Sequence, residues 1–582
     1  MTGSAINQGY EECSPSPVCR ERPLQDMVPL LRDLSSLSGS QILNRILEME
    51  DPREFIRKMS FVDFFWLIKK VGEEDCLPIL RMASTEQWQY LLDVEIWSKD
   101  RLDMARTGVW LKRLVEADCP RLAKWLLGEG EMLASYQFFR TIEVVILDDK
   151  DKAYDLPEGF FSLDGVFYVR ARDKEYAEAM ETLFKVMARE DFDRYQSMLL
   201  NLAGVLPAEV EEEMFRLRNV RLAEYGFLPP DEAYSIYVPL QPESLRSPLG
   251  RKNYQDSLPE GVYEGLVPLS PLSHVGEENL MTALAKRTAD PLFMDRIRVE
   301  FAGLCNWILS ADGLFQRDLD GLVDTCRKAA SYLSLGLERV SGSDLSQAEL
   351  VLRNNPLVDV FRVGYGMALK LKWEAERWIK DAWFAKNGYD LSLWGEQRGE
   401  VLDGLLQKNP RFYVGGGGNR DYKYFERLSE IGQCLKVLRH MMVVDGLLEK
   451  LTGLYPVDEE YMQEEGVSFK AMLFNFWARD LLKMPPGFSR IAPEDARKFF
   501  EIIRSGTRLP PYLMPGSQER FVDFFAGYAS DSHPESLSGL RDALSEIWQE
   551  FREEYEWVPA DELEARYSRF ILVGPTTHPD QS

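Results

Sequence analysis

Near its start the chain sets apolar residues in short blocks at helical spacing, and two of these blocks repeat each other. Met59 to Val71 overlays Met82 to Val94 at an offset of 23 residues, pairing Asp63 with Glu86, Phe65 with Trp88, Ile68 with Leu91 and Val71 with Val94. Trp88, Leu91 and Leu92 form an i, i+3, i+4 stripe behind Ser84-Thr85-Glu86, a capping residue followed by an acidic first turn. Asp51-Pro52 marks a further helix start, because a proline at the first helical position loses no needed N–H. Leu111, Leu114 and Ala117 keep the offset as a degraded third copy. Periods of about 20–50 residues predict stacked units that each bury an apolar face against the next.

The pattern then changes. Ile142 to Leu147 is β-branched, and Phe160-Phe161-Ser162-Leu163 and Val166-Phe167-Tyr168-Val169 flank Asp164-Gly165. Asp-Gly between apolar runs predicts a hairpin, since both turn residues must tolerate positive φ. The fold class expected is mainly α: an N-terminal superhelical stack of short helices with a small inserted β-hairpin or sheet, then further α-helical domains. A flexible leader is expected at 1–25, a helical-repeat domain at 26–238 with its β-insert at about 141–171, and a Pro/Gly/Ser-rich linker at 239–277. A middle helical domain follows at 278–410, a Gly-rich loop at 411–422, a C-terminal helical domain at 423–573 and a flexible tail at 574–582. Leu473 to Ala478 is apolar on nearly all sides and predicts a buried helix.

Composition narrows the function classes. Among 582 residues, 95 are acidic and 69 basic, a formal charge of −26 that opposes nucleic-acid binding, which needs a basic footprint on phosphates. The first 25 residues carry Glu, Ser and Pro in place of an apolar run, and no stretch reaches the roughly 18 apolar residues of a membrane span, so no membrane insertion is expected. Seven cysteines (Cys13, Cys19, Cys76, Cys119, Cys305, Cys326, Cys434) stand at wide, irregular spacing without C-x-x-C, which predicts a reducing, cytoplasmic setting and no disulfide framework.

Candidate chemistry is sparse. The four histidines (His274, His440, His533, His578) show no metal-binding spacing, and His440, inside an apolar helix, reads as a core or boundary residue. Acidic clusters such as Asp148-Asp149-Asp151 and Glu211-Glu212-Glu213 lack calcium-loop spacing and read as solvated faces. No catalytic, metal or cofactor-binding residue is therefore assigned. Two segments could contact an anion or a partner. Arg216, Arg218 and Arg221 follow three glutamates; ion pairs along an exposed helix account for them, or a grip on an acidic partner, another part of this chain included. Around the glycine-rich run, Gly416, Gly417, Asn419 and Arg420, with Arg411 before and Lys423 after, could aim N–H groups and charge at an anion; the run lacks the P-loop frame, and a flexible loop between helical blocks is the preferred reading.

Through Glu73-Glu74-Asp75, Leu77, Ile79-Leu80, Glu86, Leu91-Leu92 and Leu114, about 90 residues resemble the cytosolic N-terminal domain of MgtE-type magnesium transporters and the helical modules of the flagellar-motor switch protein. That likeness implies metal sensing, without positions for ligands. Phe215 to Leu222 with Glu224 to Phe227, Ser334 to Glu338, and Val360 to Gly366 resemble an uncharacterised bacterial family of large helical proteins, which implies no activity. The function expected is a non-catalytic cytosolic protein-binding, scaffolding or regulatory protein that holds another protein on the concave face of its stack. The alternatives are an enzyme acting on an anionic substrate through dispersed Arg and Lys residues, and a magnesium-responsive regulator.

Overall fold

The structure, a computed structural model, describes residues 37–147, 156–173, 176–204, 206–225, 227–245, 279–288, 290–313, 319–415, 422–462, 467–505, 510–529, 533–558 and 569–574. The leader at 1–25, most of the 239–277 linker, Asp148-Asp149-Asp151 and all but the first residue of the 574–582 tail lie outside the described residues. The chain is mainly α, with three small antiparallel sheets among the described residues. No described helix is long and apolar enough to cross a membrane. Two compact units emerge: described residues within Met1–Ala233 and Ala289–Cys326 form one, and those within Tyr234–Ser257, Glu277–Thr288 and Arg327–Ser582 form the other.

In the first unit, helices Phe61–Val71 and Thr85–Glu95 are the repeated pair. Ser60 caps one by accepting from the Asp63 N–H, and Ser84 caps the other by accepting from the Gln87 N–H. The caps align the helices at an offset of 24, one more than the apolar overlay suggests. The reason is that Phe61–Val71 is buried nearly all round, so its apolar pattern carries little register. The third copy falls midway along Met104–Leu126, a longer helix capped by Asp103, which has non-helical geometry at Asp118 two residues before Pro120. Helix Glu131–Thr141 runs directly into strand Ile142–Ile146. That strand pairs with Phe167–Ala171, which pairs in turn with Phe161–Ser162. The hairpin forms around Asp164-Gly165, but with residues 163–167 as its loop in place of a two-residue turn, since Ser162 pairs with Tyr168. Gly165 has φ +75°, Asp164 does not have positive φ, and Asp164 Oδ1 accepts from the Val166 and Phe167 N–H groups. Val169 and Phe167 point the sheet's apolar face into the core, and Phe161 packs on Phe184 of helix Ala177–Glu190.

In the second unit, helix Phe469–Leu481 is buried from Ala471 through Ala478, as its apolar pattern predicts. Phe474 stacks on Phe551 at 4.5 Å and on Phe521 at 4.8 Å. Each such fully buried ring contributes about 1.5–3 kcal/mol. Helix Leu357–Asp381 crosses the helix Leu319–Ser341 through two glycines: a Cβ on Gly364 would stand 1.9 Å from the Tyr332 carbonyl oxygen, and one on Gly336 would stand 2.2 Å from that of Val360. These glycines belong to two of the stretches that carry the family resemblance, Ser334 to Glu338 and Val360 to Gly366.

Candidate functional site

The arginines on helix Pro207–Ala223 are engaged within the first unit. Arg216 is exposed and forks onto Glu213, its neighbour at i−3. Arg221 forks onto Asp93 at 2.7 and 2.8 Å, and Arg218, 2% exposed, donates to the Asp93 carbonyl oxygen at 2.6 Å while lying over Trp97 and Phe215. Burial pushes the Arg218 guanidinium down to about 10, so it stays charged at neutral pH. The acidic partner of this cluster is another part of the chain, Asp93 on the second repeated helix.

The same pattern ties the repeated helices to helix Met104–Leu126. Lys69 meets Glu95 at 2.6 Å, Arg106 reaches both Glu73 and Glu95, and Arg113 meets Glu73 at 3.1 Å. Arg121 lies 3.8 Å over the Trp88 ring and donates to carbonyls at the end of helix Leu77–Met82. Cations fix helix to helix here, each matched to a carboxylate or to backbone oxygens.

In the second unit Arg411 donates to the Tyr424 hydroxyl at 2.7 Å and covers its ring, and Lys423 meets Glu430 at 2.8 Å. Gly416, Gly417, Asn419 and Arg420 lie outside the described residues. His440 is buried, with Nδ1 3.0 Å from Glu546 Oε2; burial lowers its pKa against the pull of that carboxylate. Among the described residues no cluster of three or more His, Cys, Asp or Glu side chains could hold a metal ion.

What the sequence did not reveal is a cavity of about 710 Å³ in the first unit. Its first wall is one face of helix Met104–Leu126: Met104, Gly108, Leu111 and Val115 at i, i+4, i+7, i+11, with Lys112 beside them. Helix Glu131–Thr141 supplies Gln137, Phe138, Arg140 and Thr141, and helix Ala177–Glu190 supplies Ala179, Met180 and Leu183. Arg172, Asp173 and Tyr176, between the last strand and that helix, complete the rim.

Gly108 explains part of this shape. A glycine inside a helix costs about 1 kcal/mol relative to alanine. Here a Cβ would meet the Tyr176 ring at 3.2 Å, so the missing side chain lets that ring lie against the helix and bound the cavity.

Phe138, Leu183, Leu111 and Gly108 are buried and form an apolar floor, whereas Arg140, Arg172 and Asp173 are exposed. Gln137 is 4% exposed, and its amide oxygen accepts no hydrogen bond. Lys112 is half-buried and makes no ion pair among the described residues; Arg140 meets no carboxylate among them and lies 5.6 Å over the Tyr136 ring. Arg172 uses its Nε on the Ile142 carbonyl. The site can therefore shelter an apolar body and present cations at its mouth. The signal for it in the sequence was slight, a glycine inside an otherwise strong helix.

The profile of a family described as "Family of unknown function (DUF6178)" matches residues 23–574, nearly the whole chain. No curated protein and no solved structure matches.

Proposed function

We propose, for a chain that belongs to this family of unknown function, a non-catalytic binding role of a scaffolding or regulatory kind, with the N-terminal unit as the receptor. The observation that carries this reading is the make-up of the cavity wall. A cavity of about 710 Å³ has the size of a ligand site, and its lining is mostly apolar with a few polar groups, as in sites that hold molecules. Among the described residues the lining contains no Ser, Cys, His or Glu, and Asp173 is its single carboxylate, so it offers no Ser–His or Cys–His pair and no pair of carboxylates. Its chemistry is grip. The arginines that could have served an anionic substrate, Arg216 to Arg221 and Arg411, fall in different units, and each has its own hydrogen-bonding partner within its unit.

The test is native mass spectrometry of the full chain purified gently from its host, beside an Ala179→Trp variant that fills the cavity and a Lys185→Ala control on the exposed side of the same helix. A stoichiometric added mass, small molecule or protein, that is kept by the control and lost by Ala179→Trp supports the reading. An added mass indifferent to Ala179→Trp, or none in any form, refutes it.

A further inference from the structure

We infer that the cavity between helices Met104–Leu126, Glu131–Thr141 and Ala177–Glu190 receives a small amphipathic anion, a carboxylate on an extended apolar body, with its charge held by Lys112, Arg140 and Arg172. This rests on the binding reading above and adds the chemical class of the ligand.

Three observations converge on it. The first is the contrast in pairing. Elsewhere in this unit the half-buried cations are matched: Lys69, Arg106, Arg113 and Arg221 each meet a carboxylate. At the cavity half-buried Lys112 departs from this, and the two cations beside it, Arg140 and Arg172, are exposed. Lys112 and Arg140 meet no carboxylate among the described residues, and Arg172 spends one nitrogen on a backbone oxygen. The lining holds three cations against the single carboxylate of Asp173. In a chain of formal charge −26, a cationic mouth is a local feature and not a reflection of the whole.

The second observation is the apolar lining. Half-buried Met104, Val115, Ala179 and Met180 border the open volume above the buried Leu111, Phe138 and Leu183, so a water-filled cavity leaves apolar surface wetted that an alkyl or aryl body would cover. The third is Gln137. Its buried amide oxygen has no donor, and an unsatisfied buried acceptor costs about 1–3 kcal/mol. A carboxylate has no proton to give it, so a hydroxyl or N–H on the ligand's body, or a water carried in with it, is what would satisfy this acceptor. Volume argues for a small molecule over a protein segment, since about 710 Å³ falls within the usual size of a small-molecule pocket.

The experiment is calorimetric titration of the full chain with dodecanoate, dodecanol and dodecyltrimethylammonium below their micellar concentrations, in low and high salt. A charge-assisted hydrogen bond strengthens binding by about ten-fold or more. Dodecanoate is expected to bind at least about ten-fold tighter than the alcohol, with the margin shrinking in high salt, and the ammonium compound more weakly than either. Lys112→Ala with Arg140→Ala should bring the carboxylate down to the alcohol's affinity. Ala179→Trp should abolish binding of both. Both side chains changed in the double variant reach solvent, and an unchanged circular dichroism melt verifies its fold.

Equal affinity for carboxylate and alcohol, both lost in Ala179→Trp, would overturn the anion assignment while leaving the binding role standing. Failure of every dodecyl compound to bind, or binding that ignores Ala179→Trp, would overturn the cavity as the receptor as well.

Discussion

Replacing Asp63 by asparagine should make the protein more stable at alkaline pH and leave it nearly unchanged in mild acid. Asp63 lies in the first turn of helix Phe61–Val71 and is 6% exposed. Its Oδ2 accepts from the Ser60 hydroxyl at 2.8 Å, and its Oδ1 has no partner. Burial, opposed only by the Ser60 hydrogen bond, pushes the carboxyl up from its ordinary 3.8 to about 7. In the unfolded chain the same group ionises near its ordinary value. Between about pH 4 and pH 7 the folded protein therefore keeps a proton that the unfolded chain has released, and stability falls as pH rises through that window, levelling off above it. A gap of about three pH units at roughly 1.4 kcal/mol each sets a ceiling near 4 kcal/mol. Asparagine keeps the shape and the acceptor for Ser60 and removes the ionisation. Urea unfolding followed by circular dichroism at pH 4.5, 6 and 8 measures the difference between variant and parent, in which all other carboxylates cancel. The expected gain for Asp63→Asn is within about 1 kcal/mol of zero at pH 4.5 and about 2–4 kcal/mol at pH 8. A difference that does not change with pH would refute the reasoning, and so would a variant less stable than the parent at pH 8.

Glu73 should behave in the opposite sense. Burial would raise its pKa, but Arg106 and Lys69 outweigh it and hold the carboxyl at about 2, so its stabilisation is present above its ordinary 4.5 and lost as pH falls towards 2. Glu73→Gln should cost about 3 kcal/mol at pH 7 and almost nothing near pH 2, read from unfolding midpoints at the two ends of that range. Gln87, fully buried, donates to the Ile56 and Met59 carbonyls and accepts from the Ser84 N–H; Gln87→Leu should lower stability by about 2–4 kcal/mol in urea, and an unchanged midpoint would show that these groups find other partners. Gly364→Ala drives a methyl group into the Tyr332 carbonyl and should destabilise the second unit by about 3 kcal/mol or more, visible as a lowered thermal transition, whereas Gly432→Ala on an open helix face should be neutral or stabilising.

Local chemistry made the elements legible. Ser84 and Asp51-Pro52 mark helix starts where they form, Asp164-Gly165 turns the hairpin, and the all-round apolar run at 473–478 is a buried helix. Each signal lies within a few residues, where capping, turn geometry and period act directly. Register was less legible, because the first repeated helix is apolar on too many sides to fix it, and only the serine caps do. The stretches around Gly336 and Gly364 could be matched to a family without revealing why they are glycine. That reason is a backbone-to-backbone crossing between residues far apart in the chain.

The candidate site was illegible for a related reason, and the arginines show it. A sequence makes cations conspicuous when they cluster, as Arg216, Arg218 and Arg221 do. Clusters are also where a folding chain gains most by supplying its own counter-charge. Asp93, more than 120 residues away along the chain, gives its carboxylate to Arg221 and its backbone carbonyl to Arg218. At the cavity the cations without a carboxylate among the described residues sit singly in the sequence: Lys112 in one helix, Arg140 at the end of the next, Arg172 beyond the sheet. Nothing in their spacing joins them. They share a site because helix Glu131–Thr141 passes into the sheet without a loop and the sheet returns the chain to the face that Gly108 leaves open. Conspicuous charge in this acidic chain therefore builds the scaffold, and the inconspicuous remainder is where its function is to be sought.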